Sequence, residues 1–153
     1  MKQESTISKK IINIAIVNGP NLNLLGRRQP EIYGTKSFID YYKELVLIFE
    51  GKVKLHYFQS NHEGAIIDYL QKIGFDYNGI VLNAGAYSHT SIAIADCVSA
   101  ITCNVVEVHI SNIKERESFR HFTYLEAVCQ LCIIGKGLNG YQEAIEYLLE
   151  DLN

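Results

Sequence analysis

A chain of 153 residues, 48% of them hydrophobic, can fill the core of one domain. Its formal net charge of −3 leaves no electrostatic footprint for nucleic acid or an anionic membrane. No apolar run reaches the roughly 18 residues of a membrane span, so membrane and nucleic-acid partners are not expected.

Met1–Lys10 is polar and reads as a flexible tail, with a single domain over 11–153. Lys9-Lys10 before Ile11–Val17 imitates a signal peptide only faintly. The apolar run is short, Asn13 breaks it, and no small-residue cleavage site follows. Ile11–Val17 reads instead as a buried first strand. The polar stretch that follows, Asn18 to about Ser37, far exceeds the about 2–6 residues that usually join a strand to a helix. It carries three asparagines, two arginines and Tyr33, and loops of this kind are most often lids or binding loops.

Helical patterns cover Ser37–Glu50, Glu63–Ile73, Ser91–Ser99, Tyr124–Cys129 and Tyr141–Leu152. Further strands are expected at Val53–Gln59, Gly79–Asn83, Asn104–Ile110 and Leu131–Ile134. Strands rich in Ile and Val without clean alternation suit a parallel sheet covered on both faces. The alternation of strand and helix implies a doubly wound α/β domain, flavodoxin-like, with five strands in the order 2-1-3-4-5.

Ligands of such sheets sit outside the carboxyl ends of the strands. Five segments emerge there: Asn18–Gly34, Ser60-Asn61-His62, Asn83–Ser91, Glu107–Asn112 and Gly135-Lys136-Gly137. Glu107 and His109 lie two apart on a strand and so share a face. A carboxylate beside an imidazole orients it and favours its protonated form, which makes an acid, although a strand end entering water would also hold such residues. His89 stands among Ser88, Thr90 and Ser91, good caps for a helix whose N–H groups could meet a carboxylate. Capping explains the serines but not His89 or Asn83.

Other patterns lead away from cofactors. Gly135–Gly140 matches G-x-G-x-x-G, but a dinucleotide fold needs another strand and an acidic residue about 20 positions on. The sequence ends at Asn153, so a tight turn with close helix packing is the better reading. Cys129-x-x-Cys132 has no second pair at zinc spacing and reads as two small core residues on one helix face. With Cys97 and Cys103, four cysteines without a disulfide pattern fit a reducing, cytoplasmic setting. Asn18, Asn21 and Asn83 stand where a magnesium-binding receiver would place acids, and the first loop lacks an FMN phosphate loop. No metal and no cofactor are expected. A non-catalytic nucleotide or phosphate module remains the alternative to an enzyme.

The motifs N-G-P-N-L-x-x-L-G-x-R-x-P-x-x-Y-G (Asn18–Gly34), S-N-H-E-G (Ser60–Gly64), L-N-A-G-x-x-x-H-T-S (Leu82–Ser91), E-V-H-I-S-N (Glu107–Asn112) and R-x-x-F-R-H (Arg116–His121) occur in order. With them the chain resembles the type II 3-dehydroquinate dehydratases from Ile11 to Leu152. The resemblance implies anti elimination of water from 3-dehydroquinate through an enolate, without metal or Schiff base, in the shikimate route or in quinate breakdown. It makes Tyr33 the base. A free phenol ionises near a pKa of about 10, so ionising it at neutral pH costs about 4 kcal/mol, much of which a desolvated guanidinium can supply. By resemblance that is Arg28. His109 becomes the general acid, oriented by Glu107, and Asn21 helps hold a water on the enolate oxygen. Substrate contacts map onto Asn83, His89, Ile110, Ser111 and Arg120. Asp96 would reach in from a neighbouring subunit, because the family builds dodecamers from trimers. Gln29 departs from a frequent glutamate.

Overall fold

The computed structural model describes residues 8–27 and 29–153. Five strands form one parallel sheet: β1 (Asn13–Asn18), β2 (Lys54–Gln59), β3 (Gly79–Asn83), β4 (Val105–His109) and β5 (Leu131–Ile134), in the order β2-β1-β3-β4-β5. The expected topology is the observed one. Strand limits shift slightly: β1 starts at Asn13 rather than Ile11, and β4 covers Val105–His109. The expected tail, Met1–Lys10, falls largely outside the described residues.

Helices cover both faces. After a four-residue turn of helix, α1 (Pro30–Tyr33), come α2 (Phe38–Ile48), α3 (Glu63–Ile73), α4 (Ile92–Ala100) and α5 (Asn139–Asp151). On one face Tyr41 and Leu45 of α2 and Tyr141, Ile145 and Leu148 of α5 pack on Ile14, Ile16, Val81, Val106 and Val108. On the other, Ile66 and Leu70 of α3 and Ile94 and Val98 of α4 pack on Ala15, Val17, Ile80, Leu82 and Val105. Burial of both faces is why the strands read as near-continuous apolar runs. Among the described residues no helix is long and apolar enough to cross a membrane.

The sequence misjudged two elements. The expected helix at Tyr124–Cys129 is a series of turns. Thr123 holds them: its Oγ1 accepts from the N–H groups of Leu125 (3.0 Å) and Glu126 (3.3 Å). These turns, with Leu125 fully buried, cover part of the sheet that α3 and α4 share. In the long first loop, Leu22 and Leu25 are buried in the core beside α2, so that stretch is anchored and α1 forms beyond it.

The Gly-rich segment at the end of β5 is a turn, as expected. Gly135 and Gly137 have φ of 72° and 60°. A Cβ on Gly140 would lie 3.3 Å from Val108 Cγ1, so glycine lets α5 approach the sheet closely. Gly19 is tighter still: a Cβ there would sit 2.3 Å from the Ala84 carbonyl oxygen. Its N–H donates to the Asn83 carbonyl at 2.7 Å, which locks the loops after β1 and β3 together.

Candidate active site

The loops at the carboxyl edge enclose a cleft of about 180 Å³. It is lined by Asn21 and Tyr33 from the first loop, Asn83 and His89 from the third, and His109, Ile110 and Ser111 from the end of β4. Arg116 and Arg120 close it from the segment that follows. Sequence position at strand ends is thus converted into one concave, polar surface.

His109 donates from Nε2 to Glu107 Oε1 at 2.6 Å, and both side chains are buried. Glu107 lies behind His109 rather than on the wall of the cleft. Thr123 Oγ1 also donates to Oε1, at 2.6 Å. Burial pushes the Glu107 carboxyl up, but the His109 contact and the Thr123 hydroxyl outweigh it and hold the group below the ordinary carboxylate range. An ionised Glu107 fixes the orientation of the imidazole ring. Thr123 went unnoticed in the sequence, because only the packing of the turns brings it to Glu107.

His89 lies beside His109, with ring centroids 5.8 Å apart and planes 26° from parallel. Its Nδ1 donates to the Phe122 carbonyl at 2.7 Å, which leaves Nε2 as the other polar atom of the ring. Burial lowers the His89 pKa more than the Phe122 carbonyl raises it, so the ring is neutral at pH 7. His89 ends a 3-10 turn (Gly85–His89) and does not open α4. Ser91 caps that helix by accepting from the Ile94 N–H at 2.9 Å, and the first turn of α4 does not line the cleft.

Tyr33 meets a cation that the sequence reading passed over. Arg116 Nη1 donates to the Tyr33 hydroxyl at 2.8 Å, with the guanidinium carbon 5.8 Å from the ring centre. Arg116 was visible as the first residue of R-x-x-F-R-H, but its partner lies 83 positions away. Arg28, expected beside Tyr33, lies outside the described residues. Arg120 reaches the cleft with its Nε on Glu117 Oε2 at 2.9 Å.

Asn83 has a second duty. Its Nδ2 donates to the Tyr141 hydroxyl at 2.9 Å and its Oδ1 accepts from the Gly85 N–H at 3.1 Å. Tyr141 in turn donates to Asn18 Oδ1 at 2.8 Å, tying the ends of β1 and β3. Asn21 lines the cleft in a left-handed conformation (φ 68°), a region that asparagine tolerates, and its N–H donates to Asn61 Oδ1 at 3.0 Å. Asp96 is on the exposed face of α4 and does not line the cleft. Contrary to the expectation that no metal donors cluster, Glu107, His109 and Cys132 come together.

A doubly wound α/β domain with an arginine-bound tyrosine and a carboxylate-bound histidine on one cleft belongs to the class of acid–base catalysts. Residues 12–149 match the family model for dehydroquinase class II, and the chain belongs to that family. It is 54% identical over 139 residues to a 3-dehydroquinate dehydratase of Exiguobacterium, covering 91% of this chain and 95% of the relative. A Bacillus pumilus enzyme of the same name is 47% identical over 137 residues, covering 89% and 93%. Among solved structures, the type II dehydroquinase from Butyrivibrio crossotus superposes with a TM-score of 0.87 at 44% identity, over 90% of this chain and 97% of that one.

Proposed function

We propose that this protein dehydrates 3-dehydroquinate to 3-dehydroshikimate, as a hydro-lyase using two side chains in opposed roles. The observation that carries the reading is the placement of the Tyr33 hydroxyl, held by Arg116, on the same cleft as His109, held by Glu107. The guanidinium donates to the phenolic oxygen and fixes its place on the cleft. Ionised Tyr33 takes the proton beside the substrate ketone, leaving an enolate. The doubly protonated His109 ring keeps one N–H on Glu107 and gives the other proton to the departing hydroxyl, which leaves as water as the carbon–carbon double bond forms. Asn21 holds a water against the enolate oxygen. Ile110 and Ser111 receive the substrate carboxylate, while Arg120, Asn83 and His89 position the ring. Arg28 is a second cation for Tyr33, a role that rests on the family resemblance alone. Nothing in these steps requires a cofactor. The alternative of a non-catalytic nucleotide module is not supported.

The working form is a dodecamer of trimers in the cytoplasm, with Asp96 completing the site of a neighbouring subunit. Ile92 on α4 and Phe119 and Phe122 beside the cleft are exposed apolar side chains, the kind of surface that subunit contacts cover. Mixing pure protein with 3-dehydroquinate and excess chelator tests the reaction. The ultraviolet absorbance of the conjugated enone product should rise, and a flat trace from folded protein would overturn the reading.

A further inference from the structure

β4 and β5 pair residue for residue, with Glu107 opposite Cys132 and His109 opposite Ile134. Directly paired residues project to one face of a sheet, on strands about 5 Å apart. Glu107 therefore meets His109 along its own strand and Cys132 across the ladder. One donor atom from each of the three lies within 4.8 Å of the other two. Oε1 of Glu107 already accepts from His109 and Thr123. Oε2 is buried with no nitrogen or oxygen donor among the described residues, and the Cys132 thiol is the group that meets the Glu107 carboxylate. A thiol is a weak donor for a buried carboxylate oxygen, and a cation would satisfy that oxygen better.

We infer that Glu107, His109 and Cys132 form a binding site for a borderline-soft divalent cation such as Zn²⁺, and that the ion shuts down the acid side of the active site. An oxygen, a nitrogen and a sulfur donor together select zinc, cobalt or cadmium over magnesium or calcium, which prefer oxygen alone. Three protein donors leave a fourth position for water from the cleft that His109 lines. On binding, the Cys132 thiol releases its proton to solvent and the thiolate sulfur bonds the metal. His109 binds through Nε2, whose proton passes to Nδ1 in a neutral ring or to solvent from a protonated one, and Glu107 turns Oε2 to the ion. No electron changes hands. With Nε2 on the metal and Glu107 diverted, the ring is held neutral with a single N–H on Nδ1, a much weaker proton donor than the imidazolium that the leaving hydroxyl requires. The binding site stands independently of the proposed dehydration; only the inhibition rests on it.

Cobalt titration of chelator-stripped protein, with a non-chelating reductant present, tests the site. The expected result is one equivalent per chain, with tetrahedral visible bands and a near-ultraviolet thiolate-to-cobalt band. Cys132→Val should abolish the thiolate band, Cys132→Ala should do the same, and Cys129→Ala should keep it. In the dehydration assay, zinc should inhibit and chelator should restore turnover. Cys132→Val should retain basal turnover and lose its zinc sensitivity, because one of the three protein ligands is gone. No thiolate band, a band that survives both Cys132 variants, or zinc inhibition unchanged in them would overturn the site. A Cys132-dependent cobalt spectrum in protein without enone-forming activity would leave the site standing and overturn the dehydration instead.

Discussion

The Tyr33 hydroxyl has Arg116 at 2.8 Å, so the phenol and the guanidinium form one functional unit. Tyr33→Phe should lower turnover by about 10²–10⁴-fold, the usual contribution of a positioned proton-transfer group, with circular dichroism unchanged. Near-normal turnover would remove Tyr33 as base. Arg116→Gln removes the donor on the Tyr33 hydroxyl and should lower turnover with circular dichroism unchanged; unchanged turnover would exclude this role for Arg116. Glu107 makes a prediction about stability. Its carboxyl is held below its unfolded range by His109 and Thr123 against the opposing effect of burial. A depressed carboxyl stabilises the fold above the unfolded pKa of about 4.3, and that contribution fades as pH falls through the folded value. Urea midpoints should therefore drop from about pH 5 downward, and Glu107→Gln should show a shallower acid slope. The single-residue chemistry of Glu107 and His109 was legible in the sequence because strand residues two apart share a face. Arg116 and Thr123 were not, since neither is near its partner along the chain.

At the level of elements, β1, β3 and α5 meet at one buried hydroxyl. Tyr141 donates to Asn18 and accepts from Asn83, whose strands are paired at those two residues. Tyr141→Phe leaves both amides short of a partner in a buried place and should cost about 1–3 kcal/mol in urea unfolding. Turnover should fall as well, because Asn83 lines the cleft. Unchanged stability would mean that water replaces the hydroxyl. The Asn83 side chain looked purely functional in the sequence, yet it is also a brace. Cys129 and Cys132 were read as neighbours on a helix. Cys129 instead lies in the turns that Thr123 holds and Cys132 on β5, and burial pushes the Cys129 thiol up to about 12, so it remains protonated. The helical pattern there was six residues long, too short for periodicity to outweigh a local side-chain cap.

At the scale of the whole molecule the exposed surface bears on assembly. The family resemblance implies trimers, and the exposed apolar residues Ile92, Phe119 and Phe122 with Asp96 on the outer face of α4 offer a surface for the contact, which leads to one expectation. Sedimentation should give a species with a multiple of three chains, and Asp96→Ala should lower turnover without dissolving that species. A fully active monomer would refute both parts. The sequence by itself determined the class of fold, the order of the five strands and the ring of polar segments at their carboxyl ends. Those features follow from local periodicity and from the handed, short connections of α/β units, which the chain carries within each segment. Only the tertiary structure decided which cation meets Tyr33, that Tyr141 joins Asn18 to Asn83, and that Cys132 lies beside Glu107. Each of these depends on strand register or on how a loop packs over the sheet, and contacts of that kind are set by the burial of distant surfaces against one another.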